Sequence, residues 1–153
     1  MDLGYLFSSF EGRISRKRYW TGVLILVAAA MVVMVLLFLS GLDVTGSTGA
    51  FVGLLIELAF LYPATALMVK RLHDRRRPSW FAAFILAPLV LKAITDAAGI
   101  TAAGTGSGIL DILLGVVIFV VSLWFLVDLG FLRGTIGDNE YGPDPVAPRM
   151  AAP

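Results

Sequence analysis

Residues 70–80 read KRLHDRRRPSW, and the organisation of the whole chain turns on this stretch. It carries five of the twelve Lys and Arg residues and the single histidine. Long apolar runs flank it, so it reads as a charged hinge between two membrane spans. Upstream, 51–69 is interrupted only by Glu57 and Pro63. Downstream, 81–98 contains Pro88, Lys92 and Asp96. Two more runs complete the set: Thr21 to Leu39 without charge, and Ile109 to Leu132 with Asp111 near its start and Asp128 near its end. Nineteen residues at 1.5 Å rise cover about 28 Å, close to the roughly 30 Å hydrocarbon thickness of a bilayer. Only helices and closed barrels satisfy their backbone in lipid, and these runs are continuous rather than alternating. Helical spans are therefore expected at about 20–39, 51–69, 80–98 and 109–132, with kinks at Pro63 and Pro88.

Composition points the same way. The chain is 58% hydrophobic and 15% charged, too little polar surface to cover a water-soluble globule. A net charge of +1 gives no bulk attraction to nucleic acid, so no nucleic-acid partner is expected. Without cysteine there is no disulfide, thiolate metal site or cysteine nucleophile. A signal peptide is the competing reading of the first run, but a span is expected instead, since the run is too long for a signal-peptide core and no small-residue cleavage site precedes a polar domain.

At the N-terminus, Leu3, Leu6, Phe7 and Phe10 share one helical stripe, which predicts a short helix in the membrane interface. Gly12 ends it and Ser15 is the expected N-cap of the first span. Every Lys and Arg except Lys92 flanks the N-terminal side of the first span, the hinge, or the C-terminal side of the fourth; the two other connections carry none. That asymmetry predicts both termini and the hinge in the cytoplasm. The expected architecture is an all-α membrane protein. It is a single four-helix transmembrane bundle over 1–146, with a short N-terminal interfacial helix, a turn-rich cytoplasmic C-terminal segment, and a disordered tail at 147–153.

Three blocks meet at the predicted cytoplasmic face. The first is carried by Phe10, Gly12, Arg13, Arg16, Tyr19 and Trp20. The second is carried by Lys70, Arg71, Leu72, His73, Asp74 and Trp80. The third runs through Gly134, Thr135, Gly137, Asn139, Tyr141, Gly142, Pro143, Asp144 and Pro145. In order and content they resemble domain of unknown function 805, a family of small, YhaH-like bacterial inner-membrane proteins. The resemblance covers essentially the whole chain and implies location and topology rather than an activity. The hinge departs from the family, which usually has glycine shortly after His-Asp; Arg75, Arg76, Arg77, Pro78 and Ser79 make a stiffer, more basic turn here.

No catalytic residue, metal site or cofactor is expected. His73 beside Asp74 has no nucleophile or oxyanion site near it in sequence, and one histidine is too few for a typical zinc site. His73 is expected to anchor the hinge or to bond the Asn139–Tyr141 loop. Arg13, Arg16, Arg71, His73, Asp74, Asn139 and Tyr141 form the candidate cytoplasmic site, suited to anionic headgroups or a partner, since guanidinium forks match phosphate. Membrane lipid is thus the expected partner. The third block is expected to be a structured cap, with Gly134, Gly137 and Gly142 permitting positive φ.

Intramembrane charges cost at least about 2.5–3.5 kcal/mol at a helix centre unless paired or wet. Glu57 and Lys92 lie at nearly equal depth with opposite sign, so a pair is expected. Asp96 and Asp111 complete a candidate polar cluster, and Asp128 is expected to pair with a basic-block arginine. Ala83, Ala87, Ala93 and Ala97 predict close packing of the third span or a homo-oligomer contact. The leading function is a non-enzymatic structural or regulatory envelope component. The alternative is a small oligomeric transporter or channel using the Glu57/Lys92 cluster. A weaker third is a membrane-embedded enzyme acting on lipid or isoprenoid phosphate.

Overall fold

The computed structural model describes residues 2–41, 46–98 and 108–146. The tail at 147–153, with Arg149, and much of both connections that lack Lys and Arg lie outside the described residues. The chain forms α1 (Leu3–Ser8), α2 (Arg16–Ser40), α3 (Gly46–Asp74), a 3-10 turn (Ser79–Ala82), α4 (Ala83–Ala97), α5 (Ile109–Phe125) and a π-helical segment (Leu126–Phe131). Four stretches, Arg16–Ser40, Phe51–Asp74, Ser79–Asp96 and Ile109–Phe131, are long and apolar enough to cross a membrane.

Local chemistry sets the helix ends. Asp2 caps α1 by accepting from the Tyr5 N–H at 3.1 Å. Ser15 caps α2 by accepting from Arg18 N–H, as its position predicts. Gly41 ends α2 in the left-handed region at φ 65°. Pro63 and Pro88 sit inside α3 and α4 without ending either helix.

Helix α2 packs on α3 and α4 packs on α5; α3 joins the two pairs by touching α4 and the π segment. The packed core lies at the end bearing the basic blocks, hereafter the basic end. There Val69, Leu72, Ala82, Ile85, Phe125 and Leu129 are buried together. A second cluster joins Leu6, Ile14 and Leu67. Toward the opposite end the helices present apolar side chains outward, among them Met34, Phe38, Phe51 and Ile109. Such exposure suits lipid, where burying leucine against leucine gains little over burying it against acyl chains.

Two expectations need revising. Helix α1 is anchored to the protein as well as amphipathic: Leu6 is buried, Phe10 meets the Tyr62 ring edge-on at 5.3 Å, and Tyr62 Oη donates to the Ser8 carbonyl at 3.0 Å. Within the chain, helix α4 makes its buried contact through Ile85, beside Ala82 of the preceding turn, rather than through Ala83 and Ala87, which are exposed. Ala93 is half-buried, and the homo-oligomer half of the expectation concerns a second copy.

Candidate functional site at the basic end

The last turn of α3 carries Lys70, Arg71, His73 and Asp74, all buried, with Lys70 and Arg71 at 0% exposure. Cations this deep need partners, because an unpaired charge out of water is strongly destabilising. Asp74 supplies the centre. Its Oδ1 accepts from Arg13 Nε at 3.1 Å and Arg13 Nη2 at 2.9 Å, and its Oδ2 accepts from Arg71 Nη1. One carboxylate thus holds two guanidiniums from different blocks.

The remaining donors of both arginines go to backbone carbonyls. Arg13 Nη1 donates to Gly137 and Gly142 at 2.8 and 3.1 Å, and Nη2 donates to Thr135 O at 2.7 Å and Thr135 Oγ1 at 3.0 Å. Arg71 donates to Leu129 at 2.8 Å and Leu132 at 2.6 Å. These belong to the C-terminal carbonyls of the last helix, left open where the π segment breaks the regular ladder. Trp20 Nε1 takes Gly130 O at 3.0 Å, and Arg16 takes Phe131 O at 2.9 Å. The negative end of the α5 dipole is therefore capped by cations from two other helices. Lys70 does the same for α1, its Nζ donating to Tyr5, Leu6 and Ser9 carbonyls at 2.5, 2.7 and 2.6 Å.

His73 joins the same lock. Nδ1 lies 3.2 Å from Gly12 O and Nε2 lies 2.9 Å from Ser79 Oγ. Tyr141 stacks on the imidazole, ring centroids 4.0 Å apart and 4° from parallel. Asn139 Nδ2 donates to His73 O and to Thr135 Oγ1, both at 3.0 Å. Thr135 N–H and Oγ1 both donate to Asp74 O. Gly134 is required for space: a Cβ there would overlap the Asp74 carboxylate. The third block is thus a strap folded against the end of α3. The Ser79 hydroxyl meets His73 Nε2, but Nδ1 faces the Gly12 carbonyl, and the Asp74 carboxylate is held by Arg13 and Arg71, so Ser79, His73 and Asp74 are not linked as a catalytic relay.

The hinge turn ends α3 in a Schellman motif, Arg77 N–H donating to Leu72 O at 2.9 Å and Arg76 N–H to His73 O at 3.1 Å. Arg76 takes the left-handed position at φ 55°, a place suited to glycine. Arg75 and Arg77 both reach Asp128 Oδ1 at 3.0 Å, the pairing expected for Asp128, and Arg77 lies 5.2 Å over the Phe81 and Trp124 rings.

All seven candidate residues of this face lie at the basic end, and six of them lock together; Arg16 is at the edge. Lys70, Thr135, Gly134 and Ser79 are members that the sequence reading had not singled out as site residues. The only sequence signal for Lys70 was its place inside the second block. The Glu57–Lys92 pair is not formed. Lys92 Nζ instead bonds Asp111 at 2.8 Å and Asp96 at 3.1 Å, while Glu57 is exposed and makes no hydrogen bond or ion pair among the described residues. Equal depth does not ensure a pair: Asp96 is one helical turn away on the same face, and α5 packs directly on α4. No group of three His, Cys, Asp or Glu among the described residues could hold a metal ion.

Four cations stand apart from this lock. Lys17, Arg18, Arg76 and Arg133 are exposed, and their side chains make no hydrogen bond or salt bridge among the described residues. A polar recess of about 160 Å³ lies between Ser15, Arg16, Arg71 and Arg133.

The family described as protein of unknown function (DUF805) matches residues 7–143. The chain is 32% identical over 142 residues to an Escherichia coli K12 protein named uncharacterized protein YiiR, covering 92% of this chain and 87% of that one. It is 27% identical over 139 residues to inner membrane protein YhaH of the same strain, covering 91% and 88%. Inner membrane protein YhaI is 28% identical over 141 residues, covering 91% and 87%. No solved structure matches the chain.

Proposed function

The chain belongs to the DUF805 family of membrane proteins of unknown function, and from that premise we propose a non-enzymatic structural or regulatory component of the bacterial inner membrane. Its basic end faces the cytoplasm and rests on anionic lipid headgroups. The division of the basic residues carries this reading. Arg13, Lys70 and Arg71 are buried and internally bonded, whereas Lys17, Arg18, Arg76 and Arg133 point outward from the same end. Basic residues beside a membrane attract anionic lipid with roughly 1 kcal/mol each. Headgroup contact is therefore assigned to the outward cations rather than to Arg13 and Arg71.

The test is lipid retention by purified protein, followed by native mass spectrometry. Wild type should keep phosphatidylglycerol in preference to phosphatidylcholine, and Lys17→Gln with Arg18→Gln should reduce that preference. Equal retention of both lipids by wild type would end the headgroup reading. Orientation is checked separately, since the chain has no native cysteine. A single cysteine at Val146 should react with an impermeant maleimide only from the cytoplasmic side. The transporter alternative used a Glu57/Lys92 cluster with Asp96 and Asp111; Lys92, Asp96 and Asp111 do meet, but Glu57 stands outside them, so the cluster is a closed ion-pair group without its fourth member.

A further inference from the structure

The recess between Ser15, Arg16, Arg71 and Arg133 narrows that reading to one site, and the inference rests on it. We propose that this recess binds a phosphate monoester group, carried either by a lipid of the phosphatidic acid type or by a soluble phosphate.

Three features point there. The first is unsatisfied donors. Arg16 uses only Nη1 internally, on Phe131 O, and the Arg133 side chain makes no hydrogen bond or salt bridge among the described residues. Two guanidinium forks with open N–H groups can each engage phosphate oxygens in a bidentate manner. A monoester presents three such oxygens, a diester two.

The second is charge. Two carboxylates also line the recess, but neither is free. Asp74 is held by Arg13 and Arg71. Asp144 accepts from Gly137 N–H at 3.0 Å and Val146 N–H at 2.9 Å, which hold its carboxyl below the usual carboxylate range. Arg16, Arg71 and Arg133 against Asp74 and Asp144 leave the lining a net charge of +1, three positive less two negative, and Arg13, bonded to Asp74, adds a further positive charge behind it. The N-terminus of the 25-residue helix α2, at Ser15 and Arg16, adds its positive dipole end to the same wall.

The third is place and size. Trp20 lies one turn beyond Arg16, about 6 Å deeper along α2, and its indole packs on Phe131 at the end of the last span. Indole rings of this kind mark the headgroup level, so the recess opens where lipid phosphates lie. Its volume of about 160 Å³ admits a phosphate group with a few waters, given roughly 30 Å³ per water, and is too small for a folded partner.

Arg133→Gln is the discriminating variant, because its side chain makes no hydrogen bond or salt bridge among the described residues and its carbonyl bond to Arg75 is retained. Full-length protein in detergent is titrated with phosphatidic acid, phosphatidylglycerol or phosphatidylcholine and followed by native mass spectrometry. Thermal unfolding checks each variant. Phosphatidic acid should bind most tightly, and Arg133→Gln should weaken it roughly fivefold, the effect of one basic residue at a headgroup. Phosphatidylglycerol, which Arg133 attracts only as one of several outward cations, should weaken clearly less than phosphatidic acid, and the melting temperature should hardly change. Lys17→Gln with Arg18→Gln, outside the recess, should weaken both anionic lipids alike. If Arg133→Gln instead affects both lipids equally, the headgroup face stands and the recess is overturned. If no anionic lipid outcompetes phosphatidylcholine and phosphate does not bind, both readings fail. Inorganic phosphate identifies the source. Displacement of phosphatidic acid by phosphate in wild type assigns the site to the phosphate group of a lipid. Phosphate binding that is lost in Arg133→Gln, without phosphatidic acid preference, assigns it to a soluble ligand and ends the lipid half of the proposal.

Discussion

Asp74→Asn removes one charge from the centre of the basic-end lock while keeping its shape. Asp74 is 3% exposed and pairs with two guanidiniums that are equally buried, Arg13 at 5% and Arg71 at 0%. In the wild type this group carries a net +1; in the variant it carries +2 with no counter-ion among its bonded neighbours. Breaking a buried ion pair from one side costs about 3–5 kcal/mol, mostly from the charge left behind. The backbone bonds from Arg13 to Thr135, Gly137 and Gly142 and from Arg71 to Leu129 and Leu132 survive, which favours the lower part of that range. At roughly 2–4 °C per kcal/mol for a chain of this size, the melting temperature should fall by about 6–20 °C. Tryptophan fluorescence on heating in detergent reads this directly, Trp20 being bonded to Gly130 beside the lock. Arg71→Met in the Asp74→Asn background should recover part of the loss by removing one uncompensated cation. A single variant melting within about 2 °C of wild type would show that the carboxylate is not the centre of this fold.

Gly134→Ala should destabilise comparably to Asp74→Asn, because the added methyl occupies the carboxylate position; protease cleavage after Arg133 should accelerate as the strap lifts. Arg76→Gly should stabilise the protein by about 0.5–1 kcal/mol, since the left-handed cost of about 1–2 kcal/mol disappears and glycine's unfolded-state entropy returns part of it. Chemical denaturation of the pair decides, and a destabilised glycine variant would refute the turn assignment. Glu57→Gln should leave the melting temperature unchanged or raised, while Lys92→Gln should lower stability by roughly 0.2–1 kcal/mol, as befits a half-exposed bridge. Loss of stability in Glu57→Gln would mean that it has a partner after all. Asp144 has its folded pKa lowered by the Val146 and Gly137 N–H groups, so its contribution is complete above the ordinary carboxylate range and lost as pH falls through the lowered value. Amide exchange at Gly137 and Val146, after correction for intrinsic rates, should therefore lose protection at strongly acid pH, and Asp144→Asn should show that loss already at neutral pH.

Much of the fold was legible because a membrane makes strong demands on local sequence. An uncharged run such as Thr21–Leu39 can only be a buried or spanning helix, and the Ser15 cap needs nothing beyond its own hydroxyl and the following turn. The contact of His73 with Asn139 and Tyr141, and of Asp128 with hinge arginines, followed from blocks that had to meet at one end. The partner of Lys92 was misread because depth along a helix is set by residue number, whereas the direction a side chain faces depends on how neighbouring helices are rotated and packed. Gly134 read as a residue needed for its φ, yet its requirement is for space against a side chain sixty positions earlier in the chain.

KRLHDRRRPSW by itself determined a charged junction between two spans, since no run so basic can lie in hydrocarbon and the apolar flanks on both sides can lie nowhere else. Its internal division of labour was decided only by tertiary structure. Lys70 closes α1, Arg71 closes the π segment, Arg75 and Arg77 neutralise Asp128, and Arg76 turns the chain. Five similar cations differ in role because each meets a different set of open carbonyls and carboxylates, and those sets exist only once four helix ends and a strap have come together.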